Sequence, residues 1–147
     1  MHVAPGRRLP VKSVDGVVAE EGRGLVGDRY HGSKHRHVTI QSQEQLDEAA
    51  VKLGHAFDCA GTRRNVTVDS GVIPTKPGTR LRVGDVELEV IRHSAPCRLL
   101  DDDIGPGAMR ALSGLTGSVC RILGSGTIRV GDPVEIGTEP PASRSPQ

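Results

Sequence analysis

Tryptophan is absent from this chain, and Tyr30 and Phe57 are its sole tyrosine and phenylalanine. An interior without rings has to be filled by Val, Leu, Ile and Ala, and the β-branched members of that set favour strands. The same shortage argues against a surface that stacks nucleic-acid bases on aromatic side chains. An excess of one charge is also missing. Nineteen Lys and Arg stand against 18 Asp and Glu, so no field of the whole molecule would draw it to nucleic acid or an anionic membrane. No apolar run approaches the roughly 20 residues that a membrane helix needs, and the opening MHVAPGRRLPVKSV lacks the apolar stretch of a secretory signal. The three cysteines, Cys59, Cys97 and Cys120, lie far apart with no C-x-x-C pair, which argues against a disulfide framework and against a Cys-pair zinc site. These absences predict a cytoplasmic protein with neither nucleic-acid nor membrane partners, in which a free thiol stays available for chemistry.

What the chain does have is punctuation. Nineteen glycines and 10 prolines divide its 147 residues into short, mostly alternating pieces, the pattern of a single β-rich domain with tight turns. Strands are expected at Lys12–Ala19, His37–Gln41, Asn65–Asp69, Thr79–Val83, Val86–Arg92, Ser118–Leu123, Thr127–Val130 and Val134–Ile136. One helix is marked by Ser42 as cap and Gln45 three residues on, with Leu46, Ala49, Ala50 and Leu53 on one face before Gly54. It should lie as a lid on the barrel, and a shorter helical stretch is expected around Met109–Ser113. The segments Leu81-Arg82-Val83-Gly84-Asp85 and Ile128-Arg129-Val130-Gly131-Asp132 echo each other, and Gly-Asp suits a two-residue loop, so two similar hairpins are expected to help close a barrel. The predicted fold is a mainly β, closed or partly open barrel over residues 1–137, with one or two short helices. Thr138–Gln147, without periodicity, reads as a disordered tail.

Four segments can carry chemistry. In Gly24-Leu25-Val26-Gly27-Asp28-Arg29-Tyr30-His31-Gly32, glycines bound a polar loop in which Asp28, Arg29 and His31 supply an acceptor, an anion clamp and a titratable donor; the alternative is an Asp–Arg pair that merely pins a turn. Gly61-Thr62-Arg63-Arg64-Asn65 leads into a strand, so its adjacent arginines point to opposite sides and one can face a pocket, where its planar fork suits phosphate; the alternative is a solvated turn. In Ser94-Ala95-Pro96-Cys97-Arg98 proline fixes a strand end, and Arg98 and His93 would favour the thiolate of Cys97, the form that binds soft metals or carries a persulfide sulfur. A cysteine buried as a small hydrophobe is the alternative there, and it suits Cys59 and Cys120 better. The fourth segment, His31-x-x-x-His35-x-His37, could hold a divalent metal, but Lys34 and Arg36 between the histidines would repel a cation, and anion or cofactor contact is the better reading.

In order along the chain, these pieces resemble the MOSC family, named for the C-terminal domain of molybdenum cofactor sulfurases. The matching residues are Gly24 to Gly32, then Val38-Thr39 and the helix, Gly61-Thr62-Arg63-Arg64-Asn65, Leu81-Arg82-Val83-Gly84-Asp85-Val86, Pro96-Cys97-x-x-Leu100 and Gly126-x-Ile128-x-x-Gly131-Asp132-x-Val134. The likeness runs from Val11 to Ile136. It implies a barrel-like fold with a cysteine in a polar cleft, and a role in carrying sulfur as a persulfide or in binding molybdopterin. Carried over by position, Cys97 becomes the sulfur carrier or molybdenum ligand. Arg63, Arg64 and Asn65 become contacts to the pterin phosphate or another anion, and Asp28, Arg29 and His31 line the same cleft.

The chain departs from its larger relatives in having no desulfurase domain with a pyridoxal-phosphate lysine, no additional N-terminal β-domain and no cysteine spacing for an iron–sulfur cluster. Sulfur or electrons are therefore expected from a separate cysteine desulfurase or redox partner. The leading expectation is a molybdopterin-binding protein acting in sulfur transfer or in reduction of N-hydroxylated small molecules. One competing reading is a non-catalytic module for an anionic ligand or cofactor, with Cys97 structural. The other is a metal-dependent hydrolase built on His31, His35 and His37.

Overall fold

A computed structural model describes residues 1–6, 10–34, 36–96 and 99–137. Cys97, Arg98, His35 and Thr138–Gln147 lie outside the described residues, and with them the expected tail and the cysteine singled out above. The fold is mainly β. A six-stranded sheet curls into a nearly closed barrel, formed in chain order by β5 (Val38–Ser42), β6 (Val66–Val68), β7 (Arg80–Val83), β8 (Val86–His93), β9 (Ser118–Ile122) and β11 (Val134–Ile136). Its spatial order is β11-β7-β8-β9-β5-β6, antiparallel throughout except for the parallel pair β5–β6. A three-stranded antiparallel sheet, β10 (Gly126–Arg129), β3 (Gly16–Glu20) and β4 (Gly24–Leu25), completes the wall, and a short ribbon pairs β1 (His2–Val3) with β2 (Lys12–Ser13).

Alternation explains the strands. In β7 and β8, Leu81, Val83, Val86, Leu88 and Val90 turn inward while Arg80, Arg82, Glu87 and Glu89 face out, and Val17 and Ala19 of β3 and Ile128 of β10 meet them in one apolar core. The core therefore draws on both sheets. β5 is buried over its whole length because both of its faces are covered. Val38 and Ile40 enter the core, while Thr39 and Gln41 take the opposite face. There Gln41 Nε2 donates to Thr67 Oγ1 (2.9 Å) and Cys59 O (3.3 Å), and Thr62 Oγ1 lies 2.7 Å from Gln41 Oε1. This buried polar cluster fastens a 3₁₀ turn at Cys59–Thr62 onto the barrel.

Three short helices follow: α1 (Gln43–Leu53), α2 (Leu99–Asp103) and α3 (Ala108–Ala111). α1 buries Leu46 and Ala49 against Leu100, Ala108, Leu112 and Leu115, so it packs on the other helices in a separate small cluster and not as a lid directly on the barrel core. The expected capping box does not form. Ser42 is the last residue of β5, its hydroxyl donates to Gly71 O (2.6 Å), and Gln45 Oε1 accepts from the Ile73 N–H (3.1 Å). Both side chains tie the loop after β6 to the helix instead. The C-terminal expectation holds, since Gly54 ends α1 with φ 93° and its N–H reaches Ala50 O.

Three further corrections concern strands. Gly84-Asp85 does join β7 to β8 as a two-residue hairpin, with Val83 opposite Val86. The echoing Gly131-Asp132 does not, because β10 pairs with β3 and β11 with β7, so that segment crosses from one sheet to the other. Pro133 has no N–H to give a ladder at that point, and its carbonyl accepts from Gly84 N (2.9 Å). The single strand expected at Lys12–Ala19 is two, β2 and β3, and Gly24-Leu25, expected in a polar loop, is the edge strand β4.

Candidate functional site

An open cleft of about 550 Å³ lies where the loop after β4, the 3₁₀ turn, the end of β8 and the start of α2 meet. Its walls include Arg29, Arg36, Arg63, Arg64 and Arg92 against two acids, Asp28 and Asp103. Its volume falls within the usual range of small-molecule sites.

The floor is a network centred on Asn65. The Asn65 side-chain oxygen accepts from Thr39 N (2.9 Å) and lies 3.0 Å from Thr39 Oγ1, while its amide donates to His2 O (3.1 Å) and Asp28 Oδ1 (3.2 Å). Asp28 also accepts from the N–H groups of Ala4 (2.9 Å) and Tyr30 (3.2 Å). With these bonds both side chains are occupied by the protein itself. Asn65 and Asp28 thus join β1, β5, the loop after β4 and the entry to β6, and they hold the cleft in shape.

The arginines differ in how they are held. Arg64, 7% exposed, donates to Ala95 O (3.0 Å) and so anchors the segment that leads to Cys97. Arg63 closes the 3₁₀ turn at φ 59° and ψ 22°, the one non-glycine among the described residues with positive φ. That conformation costs a side-chain-bearing residue about 1–2 kcal/mol, and Arg63 Nη2 is buried with no hydrogen-bond partner among the described residues. Such an arrangement suits a ligand that supplies the missing acceptor. Arg29 and Arg36 lie 4.4 and 4.1 Å from the ring centroid of Tyr30, and Arg29 also donates to the Tyr30 hydroxyl. Burial holds the Arg36 guanidinium below its ordinary pKa; Tyr30 opposes this, Arg29 and Arg92 add to it, and Asp28 opposes it.

Arg92 reaches the cleft through a β-bulge. Val90 pairs with Cys120 and Arg92 with Val119, so one extra residue enters β8 after Val90 and breaks the in–out alternation. Without that shift Arg92 would share the inward parity of Leu88 and Val90. Beyond the bulge, Ser94 N donates to Gly117 O (2.8 Å), and Ser94 O accepts from the Thr116 hydroxyl. Cys97 itself is outside the described residues, but Ala95 and Leu99 on either side of it both line the cleft.

Of the residues expected at the site, Asp28, Arg29, Arg63, Arg64 and Asn65 are brought together at this cleft. His31 is not among its lining residues; it pairs with Glu20 of β3. His37 is buried, its Nδ1 accepting from Ile122 N (2.9 Å), and no group of three or more metal-ligating side chains occurs among the described residues. The sequence reading missed Arg36 and Arg92 as site residues. Arg36 sits in the basic stretch assigned to anion contact, whereas nothing in the alternation of β8 announces the bulge. Cys120 is sealed in the core and its thiol is pushed up to about 12 by burial, as suits a structural cysteine.

Comparison with known families settles the lineage. The MOSC domain model matches residues 27–135. The chain belongs to the MOSC domain family. The YuaD protein of Bacillus subtilis superposes with a TM-score of 0.83 at 21% identity, over 95% of this chain and 93% of YuaD. YiiM from Escherichia coli gives 0.64 at 19% identity, over 86% of this chain, and YiiM from Geobacillus stearothermophilus gives 0.60 at 20% identity, over 71%. The chain spans 65% and 55% of those two proteins. At such identities the likeness is one of fold. No curated protein matches the chain at a significant level. Among the described residues no helix is long and apolar enough to cross a membrane.

Proposed function

We propose that this MOSC protein binds molybdopterin in the arginine cleft and uses Cys97 as molybdenum ligand or persulfide carrier, in sulfur transfer or in reduction of N-hydroxylated small molecules. The observation that carries the reading is the cleft itself: five arginines converge on a small-molecule-sized space lined by the residues flanking Cys97. The residues fit the group. A phosphate needs paired N–H donors held out of bulk water, and Arg63 has a buried Nη2 with no partner among the described residues. Arg64, bonded to Ala95 O, couples the phosphate wall to the segment before the cysteine. When bound, the cofactor would supply two-electron redox chemistry or a terminal sulfur.

The chain's own contribution is to bind and orient. Asn65 and Asp28 keep the walls in register, the Tyr30 ring with Arg29 and Arg36 forms a flat polar flank, and the strand end fixed by Ser94 presents the cysteine segment. A thiolate at Cys97 is the soft donor that molybdenum or a sulfane sulfur requires. Sulfur or electrons would come from a separate desulfurase or redox partner. The test is wild-type and Cys97→Ser protein purified from a host that makes molybdopterin, assayed for pterin fluorescence, sulfane sulfur and the rate of thiol labelling at neutral pH. The reading predicts bound pterin in the wild type, and labelling of Cys97 faster than of Cys59 or Cys120. Protein with neither ligand, unchanged by the substitution and with Cys97 unlabelled in the folded state, refutes it in favour of a non-catalytic anion-binding module.

A further inference from the structure

The arginines of the cleft form two groups on different elements. Arg63 caps the 3₁₀ turn and Arg64 follows it. Arg29 and Arg36 flank Tyr30, and Arg92 stands at the β-bulge, where its charge and that of Arg29 both act on Arg36. Like charges gathered at one place oppose each other, and Asp28 offsets this only in part, since the Arg36 guanidinium stays below its ordinary pKa. Asp28 accepts from the N–H groups of Ala4 and Tyr30 and from the Asn65 amide, so its oxygens are taken up by the protein. Arg36 Nε is buried without a hydrogen-bond partner among the described residues.

We infer that Arg29, Arg36 and Arg92 form a second oxyanion subsite, distinct from the phosphate subsite at Arg63 and Arg64, which takes a carboxylate or phosphate group of the substrate. Three guanidinium groups meet an oxyanion with parallel N–H donors, and the Tyr30 ring keeps two of their planes from swinging away. The substrate class that follows is a small molecule bearing an oxyanion, placed in the same cleft as the phosphate. Assigning this anion to the substrate rests on the cofactor reading of the Arg63–Arg64 turn; the existence of the subsite does not.

The test titrates sulfate by calorimetry, in low-chloride buffer, into the full chain purified from a host unable to make molybdopterin. Two sulfates per chain are expected. Arg92→Gln, an exposed position, should weaken one of them about tenfold or more and leave the other unchanged, and Arg63→Gln should do the reverse. Arg29→Gln should reproduce the Arg92→Gln result. One sulfate per chain, no sulfate, or both substitutions weakening the same site overturns the inference. The same variants made in a molybdopterin-producing host separate the two claims. Pterin lost in Arg63→Gln and kept in Arg92→Gln upholds both. Pterin lost in Arg92→Gln as well assigns the trio to the cofactor and overturns the inference alone. Two sulfates in a chain that never acquires pterin upholds the subsite while the cofactor reading falls.

Discussion

Replacing Asn65 by alanine removes the one side chain that ties four segments of the cleft together. Its four contacts, to Thr39 N, Thr39 Oγ1, His2 O and Asp28 Oδ1, span 2.9 to 3.2 Å in a residue 6% exposed. At about 1 kcal/mol net for each, the loss is about 4 kcal/mol, and the Thr39 N–H left buried without its acceptor keeps the figure from falling much lower. Against a total of about 5–15 kcal/mol for a domain, this is a large fraction of the stability. At about 2–4 °C per kcal/mol the melting temperature should fall by roughly 8–16 °C. Asn65→Asp has the same shape but presents an acceptor where His2 O and Asp28 Oδ1 already are acceptors, so it should be at least as damaging. Urea denaturation followed by circular dichroism measures both, with the slope on denaturant unchanged if only the native state is weakened. A loss below about 1 kcal/mol in Asn65→Ala would refute the claim that this network holds the cleft in shape.

Other consequences follow from single positions. Gly117→Ala should cost about 2–5 kcal/mol, read by thermal melting, from left-handed backbone and overpacking together; a Cβ there would lie 1.8 Å from Ile40 O at a φ of 72°. Burial raises the Cys120 thiol from 9.0 to about 12, so the unfolded chain releases that proton first and stability should fall as pH rises above about 9. Urea melts between pH 8 and pH 10 should show Cys120→Ala escaping this loss, by about 1.4 kcal/mol for each pH unit above 9. His2 moves the other way: burial, helped by the N-terminal charge and opposed by Asp58, lowers its pKa below the ordinary 6.5. Its contribution to stability is therefore present above about pH 6.5 and lost as pH falls through that region, and the same melts on His2→Gln should show a flatter profile.

Strands with clean alternation, such as β7 and the first part of β8, were legible because one face is apolar and the other charged. The edge strand β4, at Gly24-Leu25, was not, since two residues carry no period and its pairing is decided by β3. Residues Gly131-Asp132 repeat the hairpin residues Gly84-Asp85, yet they cross between sheets because each flanking strand has a better partner elsewhere. Ser42 and Gln45 have the spacing of a capping box, but the end of β5 and the loop after β6 claim both side chains. At the cleft, Arg63 and Arg64 announce themselves as neighbours in sequence. Arg36 and Arg92 are 56 positions apart and meet there only through the β8 bulge and the packing around Tyr30. His31 has the right company in sequence, but it pairs with Glu20 of β3 and is not among the residues that line the cleft.

The central claim, that the Arg63–Arg64 turn holds a pterin phosphate while Cys97 supplies the soft ligand, is tested most directly by measuring molybdenum and pterin per chain in wild type, Arg63→Gln and Cys97→Ser from a molybdopterin-producing host. The account predicts both in wild type, pterin without a full complement of molybdenum in Cys97→Ser, and neither in Arg63→Gln. A wild-type chain without pterin, or the same content in all three proteins, would contradict it.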